Sequence, residues 1–189
     1  SKVFSNFKSN NMISYGTDKD SHIVIKNIQK LPFGHKFHLS GSIDKKKYNL
    51  RLTINRPGIY NVWNSTAAVI IALLHGIAEE KIIDQLAKYQ GVYRRFSSII
   101  EKSGVKYFDD YAHHPTEIDQ LLLSAKEEAA NKVVTIFQPH RFSRIHSLYD
   151  SFCTSFKHTD YLAILPIYAA GEEYSGVFDY EKFAEDIKK

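Results

Sequence analysis

The spacing of apolar and polar residues changes twice along this chain. Residues 1 to about 56 have the pattern of β-strands. Lys47-Tyr48-Asn49-Leu50-Arg51-Leu52-Thr53-Ile54 alternates polar and apolar with the two-residue period of a half-buried strand. His22-Ile23-Val24-Ile25 and Lys36-Phe37-His38-Leu39 carry shorter versions of the signal, and Asn55-Arg56-Pro57-Gly58 ends it. From Asn61 to His75 the period becomes helical. Val62, Ala67, Ala68, Val69, Ile70, Ile71, Leu73 and Leu74 make it apolar nearly all round, which predicts a buried helix closed by Gly76. A second helix is predicted over residues 79 to 89, stopping before Gly91. Arg94-Arg95-Phe96-Ser97-Ser98-Ile99-Ile100 reads as a strand that closes the first unit near residue 104.

Beyond Val105, strands and helices alternate. The strand at 105–109 leads to a helix at 115–130, with Ile118, Leu121, Leu122, Ala125 and Ala129 on one face. The strand at 133–137 leads to a helix at 143–158, with Ile145, Leu148, Phe152 and Phe156 on one face. A third strand spans 160–165 and a last helix 180–188. This order predicts an α/β fold with parallel strands at 105–109, 133–137 and 160–165, half of a doubly wound domain. The expected organisation is two domains, 1–104 and 105–189.

The chemistry clusters at the ends of two of these strands. Asp109-Asp110-Tyr111-Ala112-His113-His114-Pro115-Thr116-Glu117 follows the first, with Pro115 and Glu117 suited to the first turn of a helix. Gln138-Pro139-His140-Arg141-Phe142-Ser143-Arg144 follows the second. Carboxyl ends of strands are where open α/β sheets bind ligands. If the two strands are parallel neighbours, acids, imidazoles and guanidiniums converge on one rim. Arg141 and Arg144, three apart at a helix start, suit a bidentate grip on a carboxylate or phosphate, or else form a solvated face. His113 and His114 are adjacent and cannot both point at one small ligand, so one is expected to face the site and the other to cap or pack. Asp109 and Asp110 suit ribose hydroxyls or a loop cap. Asn61 and Asn64 open their helix at i, i+3, where Asn61 reads as an N-cap or the pair as a reader of an adenine edge. A metal site built from His113, His114, His140, His146, Asp109 and Asp110 is weakly signalled, because no His-Glu-x-x-His spacing and no cysteine ligands accompany it.

Composition adds few constraints. The 189 residues are 43 % hydrophobic and 24 % charged, with a formal net charge of +4, as in an ordinary soluble domain or pair of domains. Lys45-Lys46-Lys47 reads as a solvated hairpin turn, and the remaining charge is too mixed for a nucleic-acid stripe. No apolar run reaches membrane-spanning length and no signal-peptide pattern opens the chain. The one cysteine, Cys153, excludes an internal disulfide and fits a reducing cytoplasm. No Gly-x-Gly-x-x-Gly follows a strand and no Gly-x-x-x-x-Gly-Lys-Ser/Thr occurs. The opening Ser1-Lys2-Val3, with Met12 the sole methionine, is expected of a piece of a longer protein.

Taken together, the motifs resemble the Mur ligase family of peptidoglycan synthesis. The likeness runs from Ile13-Ser14-Tyr15-Gly16 through Gly58 to Ala68 and Gly91-Val92-Tyr93-Arg94-Arg95-Phe96. It continues through the two clusters and ends at Ile167-Tyr168-Ala169-Ala170-Gly171-Glu172. It is nearest the members that add L-alanine to UDP-N-acetylmuramate, with the tripeptide-recycling branch as an alternative. The resemblance implies ATP- and Mg²⁺-dependent amide formation through an acyl phosphate, in the cytoplasm, with small-molecule partners, no nucleic acid and no membrane. It implies that Asn61 and Asn64 contact adenine, Arg95 the phosphates and Asp110 the ribose. It places Tyr111, His113, Arg141 and Arg144 around L-alanine, with His113 as the catalytic candidate. It also implies that residues 1–104 are the later part of a P-loop-type ATPase domain and 105–189 the first part of a Rossmann-like domain, a fragment expected to be inactive alone. Tyr60 stands where the family commonly has a histidine. A binding module without catalysis is the alternative from another class.

Overall fold

A computed structural model describes residues 12–173 and 176–188. The first eleven residues of the β-rich region therefore lie outside the described residues. The chain divides into two compact units, residues 1–90 and 91–189.

Unit 1 is a four-stranded sheet in the order β1 (Tyr15–Gly16), β2 (Ile23–Leu31), β3 (Gly34–Ile43) and β4 (Lys46–Ile54). The polar–apolar alternation sends Ile23, Ile25, Phe37, Leu39, Leu50, Leu52 and Ile54 into one core. Two helices, α1 (Tyr60–Leu74) and α2 (Glu79–Lys88), contribute Val62, Val69, Ile70, Leu73 and Ile82 to that core. Asp44 and Lys45 turn between β3 and β4 with positive φ at both positions, the geometry of a two-residue hairpin. Gly41 is required by close approach, since a Cβ there would lie 2.0 Å from the His22 carbonyl oxygen. α1 ends in a Schellman motif. Gly76, at φ +72°, donates to the Leu73 carbonyl, and Ile77 donates to that of Ala72. The expectation that α1 is buried all round is corrected: Ile71 is 57 % and Leu74 49 % exposed. The helix lays only its Val62–Val69–Leu73 face on the sheet.

Unit 2 contains β5 (Ser97–Lys102), β6 (Val105–Asp109), α3 (Pro115–Glu128), β7 (Val134–Phe137), α4 (Phe142–Ser147), α5 (Tyr149–Thr154), β8 (Tyr161–Ile164) and α6 (Tyr180–Ile187). Its core joins Ile118 and Leu122 of α3 to Phe137, Ile145, Phe152, Phe156, Phe178 and Phe183. β7 and β8 pair in parallel, joined by the α4–α5 crossover.

Four expectations need correction here. β6 pairs antiparallel with β5, not with β7, because Ser103 and Gly104 take positive φ and close a tight hairpin. The same hairpin binds residues 97–102 to unit 2, so the compact units part near residue 90 where the pattern suggested 104. The strand from Arg94 begins only at Ser97, because Arg94 and Phe96 have positive φ. The helix over 143–158 is two short helices, broken at Leu148, whose φ of −123° leaves the helical region. No helix among the described residues is long and apolar enough to cross a membrane.

Candidate functional site

The first polar rim is the loop between β6 and α3, and its side chains are largely committed to its own backbone. Asp110 accepts from the N–H of Phe96 and of Ala112, both at 2.7 Å. Burial pushes its carboxyl pKa up, against the pull of those two N–H groups. His114 is the N-cap of α3: its Nδ1 accepts from the Thr116 N–H at 3.3 Å. Glu117 completes a capping box by accepting from the N–H of His113 at 3.1 Å and of His114 at 3.3 Å. Burial raises the Glu117 pKa, but these two N–H groups and the charges of His113 and Arg95 outweigh it and hold the carboxyl below its usual range.

His113 is thereby the histidine left for the site. Its Nδ1 lies 2.9 Å from the Tyr111 carbonyl oxygen, which can only accept, so Nδ1 carries the proton. In the neutral ring Nε2 is then the lone-pair nitrogen. The Tyr111 ring meets His113 edge-on at 5.0 Å, and the Arg94 guanidinium sits over the Tyr111 ring at 5.3 Å. Arg94 is further tied to Asp109 at 3.0 Å and accepts at its carbonyl from the Tyr111 N–H.

The second rim follows β7. The ladder with β8 continues past the strand ends: Tyr168 donates to the Pro139 carbonyl at 2.8 Å, and Arg141 donates to that of Tyr168 at 2.9 Å. Arg141 has φ +72° and ψ 133°, a backbone conformation that non-glycine residues rarely adopt and that costs roughly 1–3 kcal/mol. Such strain is typical of functional turns. Arg144 reaches back past the start of its helix, with Nη1 3.2 Å from the His140 carbonyl oxygen and 3.3 Å from His140 Nδ1. His140 Nδ1 accepts there, which leaves its Nε2–H as a donor. Burial, then the charges of Arg144, Arg141 and His113, hold the His140 pKa below its ordinary value.

The two rims meet at their imidazoles. The ring centroids of His113 and His140 are 6.0 Å apart, and that of Tyr168 is 5.4 Å from His140. The sequence suggested that the rims meet because β6 and β7 pair; they meet without that pairing. The arrangement juxtaposes a lone-pair nitrogen (His113), an N–H donor (His140) and a guanidinium (Arg144) with the exposed phenol of Tyr111. Such a set can bind an amino acid by its carboxylate and its amine.

The other sequence candidates are less concentrated. Asn61 is half-buried in the first turn of α1 and donates to the Pro57 carbonyl at 2.6 Å, while Asn64 is exposed one turn on. Asn61 is not the N-cap; that position is Ile59. Arg95 is exposed and lies 3.6 Å from Glu117. His113, His114, His140, His146, Asp109 and Asp110 do not gather: no group of three or more His, Cys, Asp or Glu among the described residues could hold a metal ion. The sequence reading gave no individual role to Glu117, Arg94, Tyr168 or Glu172. For Glu117 the capping-box spacing was a readable signal; the others act through contacts 17 to 29 residues away in sequence.

Comparison with known proteins gives this geometry a family context. Residues 94–189 match the family "Mur ligase, glutamate ligase domain". The chain is similar to the UDP-N-acetylmuramate–L-alanine ligase of Pelagibacter ubique, 40 % identical over 190 residues, covering 99 % of this chain and 41 % of that protein. It is 39 % identical over 180 residues to the enzyme of the same name from Clostridium acetobutylicum, covering 95 % and 38 %. The chain thus spans about two fifths of the length of these curated relatives. Its structure is similar to that of the UDP-N-acetylmuramate–alanine ligase of Thermotoga maritima, with a TM-score of 0.72, 26 % identity, and coverage of 93 % of this chain and 37 % of that one. It is also similar to a murein peptide ligase from Psychrobacter arcticus, with a TM-score of 0.57, 25 % identity, and coverage of 80 % and 31 %.

Proposed function

The chain belongs to the Mur ligase family, and on that premise we propose that the complete polypeptide carrying it joins L-alanine to UDP-N-acetylmuramate at the expense of ATP, in the cytoplasm. The observation that carries the reading is the meeting of His113 with His140 and Arg144 at the ends of two loops. In this reading the muramoyl carboxylate attacks the γ-phosphorus of ATP, releasing ADP and forming an acyl phosphate. The amine of L-alanine then attacks the acyl carbon, the C–O bond breaks, and inorganic phosphate leaves. Holding the amino acid in register is the main contribution of this chain.

The proposed roles follow from the side-chain chemistry. Arg141 and Arg144 hold the alanine carboxylate, Tyr111 flanks it, and His113 Nε2 faces the amine and takes the proton it sheds on attack. Arg95 is proposed for nucleotide phosphate. Asp110 is proposed for ribose, a task it would share with the two backbone N–H groups it already holds. Asn61 and Asn64 of unit 1 are proposed for adenine. Unit 1 reads as the later part of a P-loop-type ATP-binding domain and unit 2 as the first part of a Rossmann-like domain. The family chemistry implies Mg²⁺, but no group of carboxylates and imidazoles among the described residues fits a metal site.

The test is L-alanine-dependent release of ADP by the complete polypeptide, supplied with ATP and UDP-N-acetylmuramate. Alanine-dependent turnover that the tripeptide does not replace supports the reading. Turnover driven only by the tripeptide makes it a recycling ligase. Nucleotide or alanine binding with no turnover makes it a binding module.

A further inference from the structure

We propose that Glu172 is a positioning residue for the Arg141–Arg144 pair, acting as the cap of α4 from 29 residues downstream in sequence. The inference rests on the reading of that pair as the carboxylate grip.

α4 has only six residues, its N-cap Arg141 makes no side-chain cap bond, and its first turn holds no acid. Short helices cannot hold themselves against the cost of nucleation. The missing cap comes from Glu172, whose Oε2 accepts from the Ser143 N–H at 3.1 Å and whose Oε1 accepts from the Ser143 hydroxyl at 2.5 Å. The chain reaches this point through Ala170 and Gly171, both at positive φ, which turn Glu172 back onto the helix. Four residues earlier, Tyr168 receives the Arg141 N–H. Tyr168 and Glu172 therefore bracket Arg141, one on its own N–H and the other on the helix turn just after it. That clamp is what holds Arg141 at φ +72° and fixes where Arg144, one turn on, directs its guanidinium. Glu172 also brings negative charge close to Arg141. Its bonds go to Ser143 of α4, so removing it should loosen the proposed grip on alanine and leave nucleotide binding alone.

The experiment measures KM for L-alanine and for ATP in the complete polypeptide, comparing Glu172→Ala, Glu172→Gln and Arg144→Ala with the parent. Losing two bonds to a charged acceptor predicts a rise of about tenfold in alanine KM for Glu172→Ala, with ATP KM within about twofold of the parent. Glu172→Gln retains an acceptor oxygen and should recover much of that loss. If Arg144→Ala raises the alanine KM but Glu172→Ala does not, the inference fails and the reading of the arginines stands. If Glu172→Ala raises both KM values alike, Glu172 is merely structural and the inference fails. If Arg144→Ala leaves alanine KM unchanged, the reading itself fails and takes the inference with it. Should Glu172→Ala not yield soluble protein, Ser143→Ala removes one of the two bonds. It should raise alanine KM by about threefold, and no rise would overturn the proposal.

Discussion

The two rims that meet at His113 and His140 are held by different means. In the first, Asp110, His114 and Glu117 bond backbone N–H groups of their own loop, with one further bond to Phe96. In the second, Arg141 and Ser143 are held by Tyr168 and Glu172, beyond a crossover of two helices. A locally braced rim keeps its shape from a few consecutive residues. A rim braced from far along the chain depends on the whole crossover, and its geometry is easier to lose. On the first rim these bonds leave the Tyr111 phenol and His113 Nε2 for the proposed ligand, and on the second the proposed grip is the Arg141–Arg144 pair.

The largest effect should come from the core beneath both rims. Phe152, fully buried against Phe137, is expected to cost about 3–5 kcal/mol on replacement by alanine, measured by guanidinium denaturation. Because Ile118 of α3 shares that core, both rims should melt in one transition. Two separate transitions would show the rims to be independent.

Asp110→Ala comes next. It strands the N–H groups of Phe96 and Ala112 and should destabilise the chain by about 2–3 kcal/mol in the same measurement. Unchanged stability combined with a raised ATP KM would make Asp110 a nucleotide ligand rather than a brace. His114→Ala removes an N-cap and should cost about 1 kcal/mol while leaving alanine KM unchanged. A rise in alanine KM would mean that His114, not only His113, serves the site.

The smallest effect is one of pH. The His140 pKa is depressed in the folded chain, so more protons are bound when the chain unfolds and stability rises with pH. Its contribution is full above the ordinary value of 6.5 and is lost as pH falls through the lower folded value. Stability should therefore decline from pH 7 towards pH 5, and His140→Gln should flatten the decline. An equal slope in the variant would assign it to another group.

How much of this could be read beforehand follows the same local–distant divide. The 3.6-residue spacing and Gly76 marked α1 to within a residue or so at each end, and the alternation from Lys47 to Ile54 marked β4. His114 as a cap beside His113 was foreseeable from Pro115 and Glu117. The partner of β6 was not, because a five-residue strand segment fits an antiparallel hairpin as well as a parallel sheet, and only the turn at Ser103–Gly104 decides. The break at Leu148 was hidden for a similar reason, since the apolar positions stay in phase across it. Glu172 has no local signature at all: its role arises from a turn that returns it to a helix 29 residues earlier in the chain.

The most direct test of the central claim is the steady-state KM for L-alanine of Arg144→Ala in the complete polypeptide. Loss of a charge-assisted grip on the carboxylate predicts a rise of at least about tenfold in that KM, with ATP KM unchanged. An unchanged alanine KM, or a rise confined to ATP, would contradict the account.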